Sequence, residues 1–348
     1  MATVGAAYMI RATGDAQGNE IIACISPLGL AQRSQVYVNN YVWPLLVLIA
    51  LAGIITAVAY KLNSIRDLGQ GFIAAKPGRR KAGRGLQSSS GLAVRLLKKT
   101  IIIWFIVMLM AGASYGSVIG DIGTFVGDSP EYLQLIGIPE EVVNTMTDAD
   151  KGKIIVDYFA AFITVMMTLI CIVPLLNAAM KVRKEESEGR AEHVLSRVVS
   201  RGKHMAGYVS IAFISSVLMQ FATAAGLYFT AAAVSESNPF TFGGLMTAFF
   251  AYLPVVWALI GIAVLIVGLF PKATGAVWGI YGFVAFTSFI GGMLKLPEWI
   301  NWLSPMYHIP QLPMDEMTYP PLIVLTVIAV ALTGAGFVFY RKRDMAMA

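Results

Sequence analysis

Between Lys181 and Gly207 the sequence reads KVRKEESEGRAEHVLSRVVSRGKHMAG, the longest densely charged stretch set between two long apolar runs. It opens on bases (Lys181, Arg183, Lys184), passes through acids (Glu185, Glu186, Glu188, Glu192) and closes on bases again (Arg197, Arg201, Lys203). If its middle is helical, Val194, Leu195, Val198 and Val199 form a narrow apolar stripe. The acids then fall in the first turns and the bases in the last, which suits the helix dipole. Such a helix, held between two membrane spans, is a handle for a soluble partner. The plainer alternative is a solvated loop whose charge only fixes topology. In that case Arg190 simply pairs with Glu186 one turn earlier, which stabilises a helix modestly.

Other chemistries find little footing. Two cysteines, Cys24 and Cys171, give neither a disulfide framework nor metal-ligand spacing, and His193, His204 and His308 are scattered. Gly152-Lys153 and Gly202-Lys203 lack the upstream glycine and the following hydroxyl of a phosphate-binding loop, so no ATP hydrolysis by that route is expected. The spans carry no cluster of ionisable groups of the kind proton-coupled pumps use. Asp157 sits within a turn of a span boundary and reads as interfacial. Asn177, Gln220, Thr223 and Thr287 fall inside spans, where hydrogen bonding between helices is the expected role. No catalytic residue, metal site or cofactor is expected in this chain.

The elements that carry the charged stretch follow from hydropathy. Of 348 residues, 57% are hydrophobic and 13% charged, with mean hydropathy +0.69. A soluble domain has no way to cover that much apolar surface, so the class is an all-α polytopic membrane protein. Seven spans are predicted, at about Tyr41–Tyr60, Ile101–Ile119, Ile154–Met180, Tyr208–Val234, Phe242–Leu269, Thr274–Leu294 and Tyr319–Tyr340, each near the roughly 20 residues a bilayer core requires. Lys61–Lys99 carries ten Lys/Arg and one acid, whereas residues 120–153 carry seven acids and two lysines. The positive-inside rule then puts the carboxyl terminus in the cytoplasm and the amino terminus outside. The net charge of +6 lies in a few loops, which bears on orientation in a membrane and not on nucleic acid.

An internal repeat organises the chain further. Glu20-Ile-Ile-Ala-Cys-Ile-Ser-Pro27 aligns with Glu298-Trp-Ile-Asn-Trp-Leu-Ser-Pro305, Pro44-Leu-Leu-Val-Leu with Pro321-Leu-Ile-Val-Leu, and Arg66-Asp67 with Arg343-Asp344. From Pro44 to Asp67, eight of 24 positions are identical. The first span is thus the counterpart of the last. Residues 1–20 are no signal peptide, and residues 1–70 are expected to be the tail of an earlier unit whose other helices are missing. A basic linker follows at 71–87, centred on KPGRRKAGRG, and a six-helix unit at 88–348.

Glu185-Glu186-x-x-Gly189-Arg190-x-Glu192-x-x-Leu195-Ser196, followed by Arg201, resembles the cytoplasmic coupling segment of type-2 ABC exporter permeases, which lies between the second and third helices of a six-helix unit. Gly91–Thr100 (GLAVRLLKKT) resembles that family's interfacial elbow helix, and Leu296–Pro310 its short re-entrant external helices. The linker and doubled unit are similar to the polyketide-antibiotic exporter permeases, here the carboxyl-terminal portion of the fused twelve-helix form. The resemblance implies a coupling helix at about 183–201 that docks a separate cytosolic ATPase subunit, which binds the ATP. Glu185 and Glu186 would be polar contacts or caps, Gly189 a point of close backbone approach, and Arg190 and Glu192 charge-paired contacts. It also implies a second permease unit, either a homodimer partner or a separate chain, in the plasma membrane. The expected function is outward transport of a hydrophobic or amphipathic compound such as an antibiotic. The alternative is a non-transporting scaffold or degenerate half-permease.

Overall fold

The structure is a computed structural model that describes residues 7–8, 10–11, 20–65, 83–86, 88–119, 148–196, 199–234, 240–291 and 297–343. Most of the basic linker and of the acidic 120–153 loop, together with Arg197 and Val198, lie outside the described residues. Two compact units divide the chain, Met1–Arg80 and Lys81–Ala348. Every regular element among the described residues is helical.

The first unit contains α1 (Glu20–Ile25), α2 (Pro27–Arg33) and α3 (Trp43–Ile65). The Ser26 hydroxyl accepts from Leu28 N at 3.3 Å, and Pro27 occupies the first helical position, where its missing N–H costs nothing. Within this unit α3 is exposed along its length, with only Pro44 buried.

The second unit contains α4 (Ser89–Gly116), α5 (Asp148–Ser187), α6 (Arg190–Leu195), α7 (Arg201–Val234), α8 (Phe242–Ala251), α9 (Leu253–Leu269), α10 (Ala276–Ile290), α11 (Glu298–Trp302) and α12 (Pro320–Lys342). Five helical stretches among the described residues are long and apolar enough to cross a membrane: Trp43–Ile65, Gly152–Ser187, Arg201–Val234, Phe242–Leu269 and Pro320–Lys342. The expected second span falls in α4, and the expected sixth in the shorter apolar α10. At 1.5 Å per residue the 40-residue α5 is about 60 Å long, roughly twice a hydrocarbon core, so its charged end projects well beyond it.

Several boundaries differ from expectation. Gly91–Thr100 is no separate interfacial helix: Ser88 caps α4 by accepting from Gly91 N at 3.0 Å, and the helix runs unbroken to Gly116. Phe242–Leu269 is broken at Tyr252, because the Pro254 ring denies a donor and crowds the carbonyl one turn back. The repeat carries through to secondary structure. Short helices α1 and α11 each lead to a buried serine (Ser26, Ser304) and a proline that starts the next helix, and α3 and α12 are both 23 residues long.

In lipid, apolar side chains gain little by leaving their surroundings, so helices associate through close packing and interhelical hydrogen bonds. Both are present. A methyl on Gly112 would strike the Thr223 carbonyl and one on Gly226 the Leu109 carbonyl, so α4 and α7 meet backbone to backbone. A methyl on Gly268 would lie 2.5 Å from the Gly336 carbonyl oxygen, which brings α9 and α12 equally close. Gln220 Nε2 donates to Thr168 Oγ1 at 2.9 Å, Trp257 Nε1 to Ser216 Oγ at 2.9 Å and Tyr281 Oη to the Leu169 carbonyl at 3.0 Å, joining α7–α5, α9–α7 and α10–α5. Of the four polar residues expected to bond between helices, only Gln220 does so. The side chains of Asn177, Thr223 and Thr287 bond to carbonyls three or four residues earlier in their own helices, which short side chains reach without a partner.

Gly268→Leu is expected to force α9 and α12 apart at a cost of about 1–3 kcal/mol, the usual penalty of overpacking. Gly334→Leu, whose added atoms start in open space, is expected to be neutral. Thermal unfolding of the two purified variants in detergent distinguishes them.

Candidate functional site

The charged stretch is not one helix. Its first seven residues are the end of α5, which stops at Ser187, and Gly189 then turns the chain at φ +70°, a left-handed conformation that L side chains resist. The six residues of α6 follow, and α7 begins at Arg201. No atom lies within 4 Å of where a Gly189 Cβ would sit. Gly189 therefore serves the turn, with no other segment among the described residues pressed against it.

The two acids before the turn face inward. Glu185 accepts two hydrogen bonds from Arg190, from Nε at 2.7 Å and Nη2 at 2.9 Å, and Lys181 Nζ lies 3.2 Å from the same Oε1 that Nη2 meets. The expected Arg190–Glu186 pair is absent because the turn at Gly189 swings Arg190 back onto Glu185, with Glu188 as its second partner. Hydrogen bonding to Glu185 raises the Arg190 pKa above its ordinary value, fixing the cation. Glu186 instead pairs with Arg343, from the end of α12, while Arg183 Nη1 lies 3.7 Å away. The side chains of Glu185 and Glu186 are only 7% and 8% exposed. Neither acid caps a helix: Gly189 occupies the cap position of α6, without a side-chain bond.

Arginines extend the cluster to neighbouring helix ends. Arg183 Nε donates to the Pro271 carbonyl at 2.9 Å, Arg343 Nη1 to the Val267 carbonyl at 3.2 Å, and Arg201 Nη1 to the Arg343 carbonyl at 2.6 Å. Helix carboxyl ends carry unpaired carbonyls and partial negative charge, which cations satisfy. The Arg343 guanidinium also lies over the Tyr340 ring, 5.1 Å from its centroid, a cation–π contact. The ends of α5, α9 and α12 and the start of α7 thus meet in one ionic clasp. Close by, Ser89 Oγ and His204 Nδ1 are 3.0 Å apart and buried, joining the first turns of α4 and α7. On the outer side of the clasp Glu192 and Ser196 are exposed and Leu195 is half-buried.

Of the eight residues expected to form the coupling site, Glu185, Glu186, Arg190 and Arg201 enter the clasp and Gly189 shapes the turn. Glu192 and Ser196 face outward. Sequence reasoning missed Arg343 and the carbonyls of Val267 and Pro271 as members. The recurrence of Arg-Asp in the repeat was the available signal for Arg343; nothing in a sequence marks a carbonyl. At the opposite end of α9 lies a shallow, open apolar groove of about 360 Å³, lined by Met246, Phe250, Pro254, Met317 and Leu322 with Thr247 as a polar point.

The described residues thus form an all-helical set of elements, with five stretches able to cross a membrane and a charged inter-helix turn clasped to its own helix ends. Residues 86–341 match the family described as multidrug efflux system permease Rv1217c, C-terminal domain, and the chain belongs to that family. It is 30% identical over 349 residues to the multidrug efflux system permease protein Rv1217c of Mycobacterium tuberculosis (strain ATCC 25618 / H37Rv). The match covers 99% of this chain and 61% of that relative, so the chain spans about three-fifths of the relative's length.

Arg343→Gln removes the strongest partner of a buried carboxylate and is expected to cost about 3 kcal/mol, since breaking one side of a buried pair leaves the other charge uncompensated. Adding Glu186→Gln is expected to restore more than half of that loss. Equal instability of the single and double variants on thermal unfolding would show that the pair carries no coupling.

Proposed function

We propose that this chain is the membrane-spanning subunit of a type-2 ABC exporter, of the polyketide-antibiotic exporter kind, moving hydrophobic or amphipathic compounds out of the cell. The observation that carries the reading is α6: a short helix with an exposed face, set on a fixed turn and tied by the ionic clasp to the ends of α5, α9 and α12. A surface pushed from outside moves these helices only if it is rigidly joined to them, and the clasp supplies that joint. Glu192 and Ser196 meet a separate cytosolic ATPase subunit, with Leu195 partly inserted. Glu185, Glu186, Arg190 and Arg201 hold the docking surface in place, and Gly189 sets its angle. ATP is bound and hydrolysed on the partner. Closure of two ATPase subunits shifts the clasped helix ends and so the balance between inward- and outward-open states.

The multidrug efflux description of Rv1217c supports the outward direction. In this reading the carboxyl terminus is cytoplasmic, the amino terminus external and the membrane the plasma membrane. Residues 1–70 are the tail of a first permease unit, 71–87 a linker and 88–348 a six-helix unit. A second six-helix unit completes the pathway.

The test is affinity capture of the chain from native membranes, with mass spectrometry of what it retains. An ABC-type ATPase is expected in the eluate. Glu192→Lys, at an exposed position, is expected to lower its recovery at least tenfold with no change in the permease's own thermal unfolding. Undiminished recovery with Glu192→Lys would remove α6 as the docking surface, and absence of any ATPase would remove the exporter reading.

A further inference from the structure

The repeat links an uncovered helix to a covered one. In α12 the buried side is Leu322, Leu325, Ala329, Gly336 and Tyr340. A methyl on Gly261 of α9 would lie 3.0 Å from the Ala329 carbonyl oxygen and 3.2 Å from Thr333 Oγ1, and one on Gly336 2.7 Å from the Val264 carbonyl. Two glycines seven residues apart, Gly261 and Gly268, therefore let α9 lie against this side of α12.

The repeat places Leu45, Leu48, Ala52, Ala59 and Asn63 of α3 at the positions of those five buried residues, and Thr56 at that of Thr333. The first three are identical to their counterparts, Thr56 is identical to Thr333, and Ala59 replaces a glycine with the next smallest residue. The outward side of α12 behaves differently. Between Leu322 and Tyr340 nine residues are exposed (323, 324, 327, 328, 330, 331, 334, 338 and 339), and only Val324 has an identical counterpart, Val47. The repeat thus retains the helix-packing side and lets the exposed side drift. Yet within its own unit α3 leaves Leu45, Ala52, Thr56 and Ala59 exposed.

We propose that the Leu45–Leu48–Ala52–Thr56–Ala59 side of α3 is a docking surface for a transmembrane helix of α9's chemistry, apolar and bearing glycines at seven-residue spacing, supplied by another permease unit. The chain's own α9 does not serve, because α12 occupies that side of it. Close approach of small residues gives such helices their packing energy in lipid, and a leucine in place of any of the small residues holds the backbones apart. Ala59 has one methyl more than Gly336, so the approach at that point is wider than between α9 and α12, and removing the methyl brings the helices closer.

The experiment uses the full chain in lipid vesicles, with Cys24 and Cys171 replaced and a donor fluorophore on a cysteine at position 61, the end of α3. A synthetic peptide of residues 252–270, flanked by lysines and carrying an acceptor, is titrated in. Saturable energy transfer is expected. Ala52→Leu and Ala59→Leu are each expected to weaken it at least tenfold, Ala59→Gly to strengthen it, and Ile54→Leu, whose counterpart Ala331 faces outward, to leave it unchanged. Transfer that does not saturate, or that is indifferent to Ala52→Leu and Ala59→Leu, would overturn the proposal. So would donor–acceptor mixtures of the chain alone showing α3–α3 transfer that Ala52→Leu abolishes, which would assign the surface to a second copy. None of these results depends on whether an ATPase docks on α6.

Discussion

Two adjacent carboxylates at the end of a long helix must be neutralised in place, and much of the second unit's architecture near them follows. Glu185 and Glu186 are almost wholly covered, and an unpaired buried charge costs several kcal/mol. Adjacent residues on a helix point about 100° apart, so one cation cannot serve both. Glu185 is met by Arg190 across the Gly189 turn, and Glu186 by Arg343 from the end of α12. Arginine suits both positions: Arg190 grips Glu185 with two parallel donors, whereas Arg343 meets Glu186 through Nη2 alone and turns another N–H to a carbonyl. Spare donors on Arg183 and Arg343 bring in the end of α9.

Along the spans a different constraint governs. Lipid supplies no hydrophobic drive to bring helices together, so contact is made where side chains are smallest. Gly112 and Gly226 do this for α4 and α7, and Gly261, Gly268 and Gly336 for α9 and α12. Among the described residues few polar bonds cross between helices; two of them, through Ser216 and Gln220, lie one turn apart on the same side of α7. Steric fit along the spans and ionic fit at their ends therefore divide the work. The charged groups tie helix ends to one another, while the glycine contacts hold helix pairs at close backbone approach.

The helical class and most span positions were legible because runs of twenty apolar residues have few alternatives, and the match of α3 with α12 was legible from Ser-Pro and Arg-Asp flanks. The break at Tyr252 was also written in the sequence, at Pro254, but a long apolar run hid it. The division of the charged stretch at Gly189 was less visible: charges and an apolar stripe are compatible with a continuous helix, and only the left-handed turn separates α5 from α6. Partner choice was the least legible. Arg190 selects Glu185 over Glu186, and Glu186 selects a residue 157 positions away, because three-dimensional proximity of helix ends decides it. Hydroxyls and amides within spans misled for a related reason, since a carbonyl in the same helix is always within reach and a neighbouring helix is not.

In the proposed coupling, the α6 turn and the carboxyl end of α12 move as one body while the helix bundle changes state. The most direct measurement is a spin-label distance between positions 193 and 342, both exposed, in the permease bound to the proposed ATPase partner, with and without a non-hydrolysable ATP analogue. One narrow distance, the same in both states, is expected, together with a broadened distribution when Arg343 is changed to Gln. A wild-type distance that shifts on nucleotide binding by more than its own width would mean that the clasp opens during the cycle, and would contradict a rigid joint between docking helix and span.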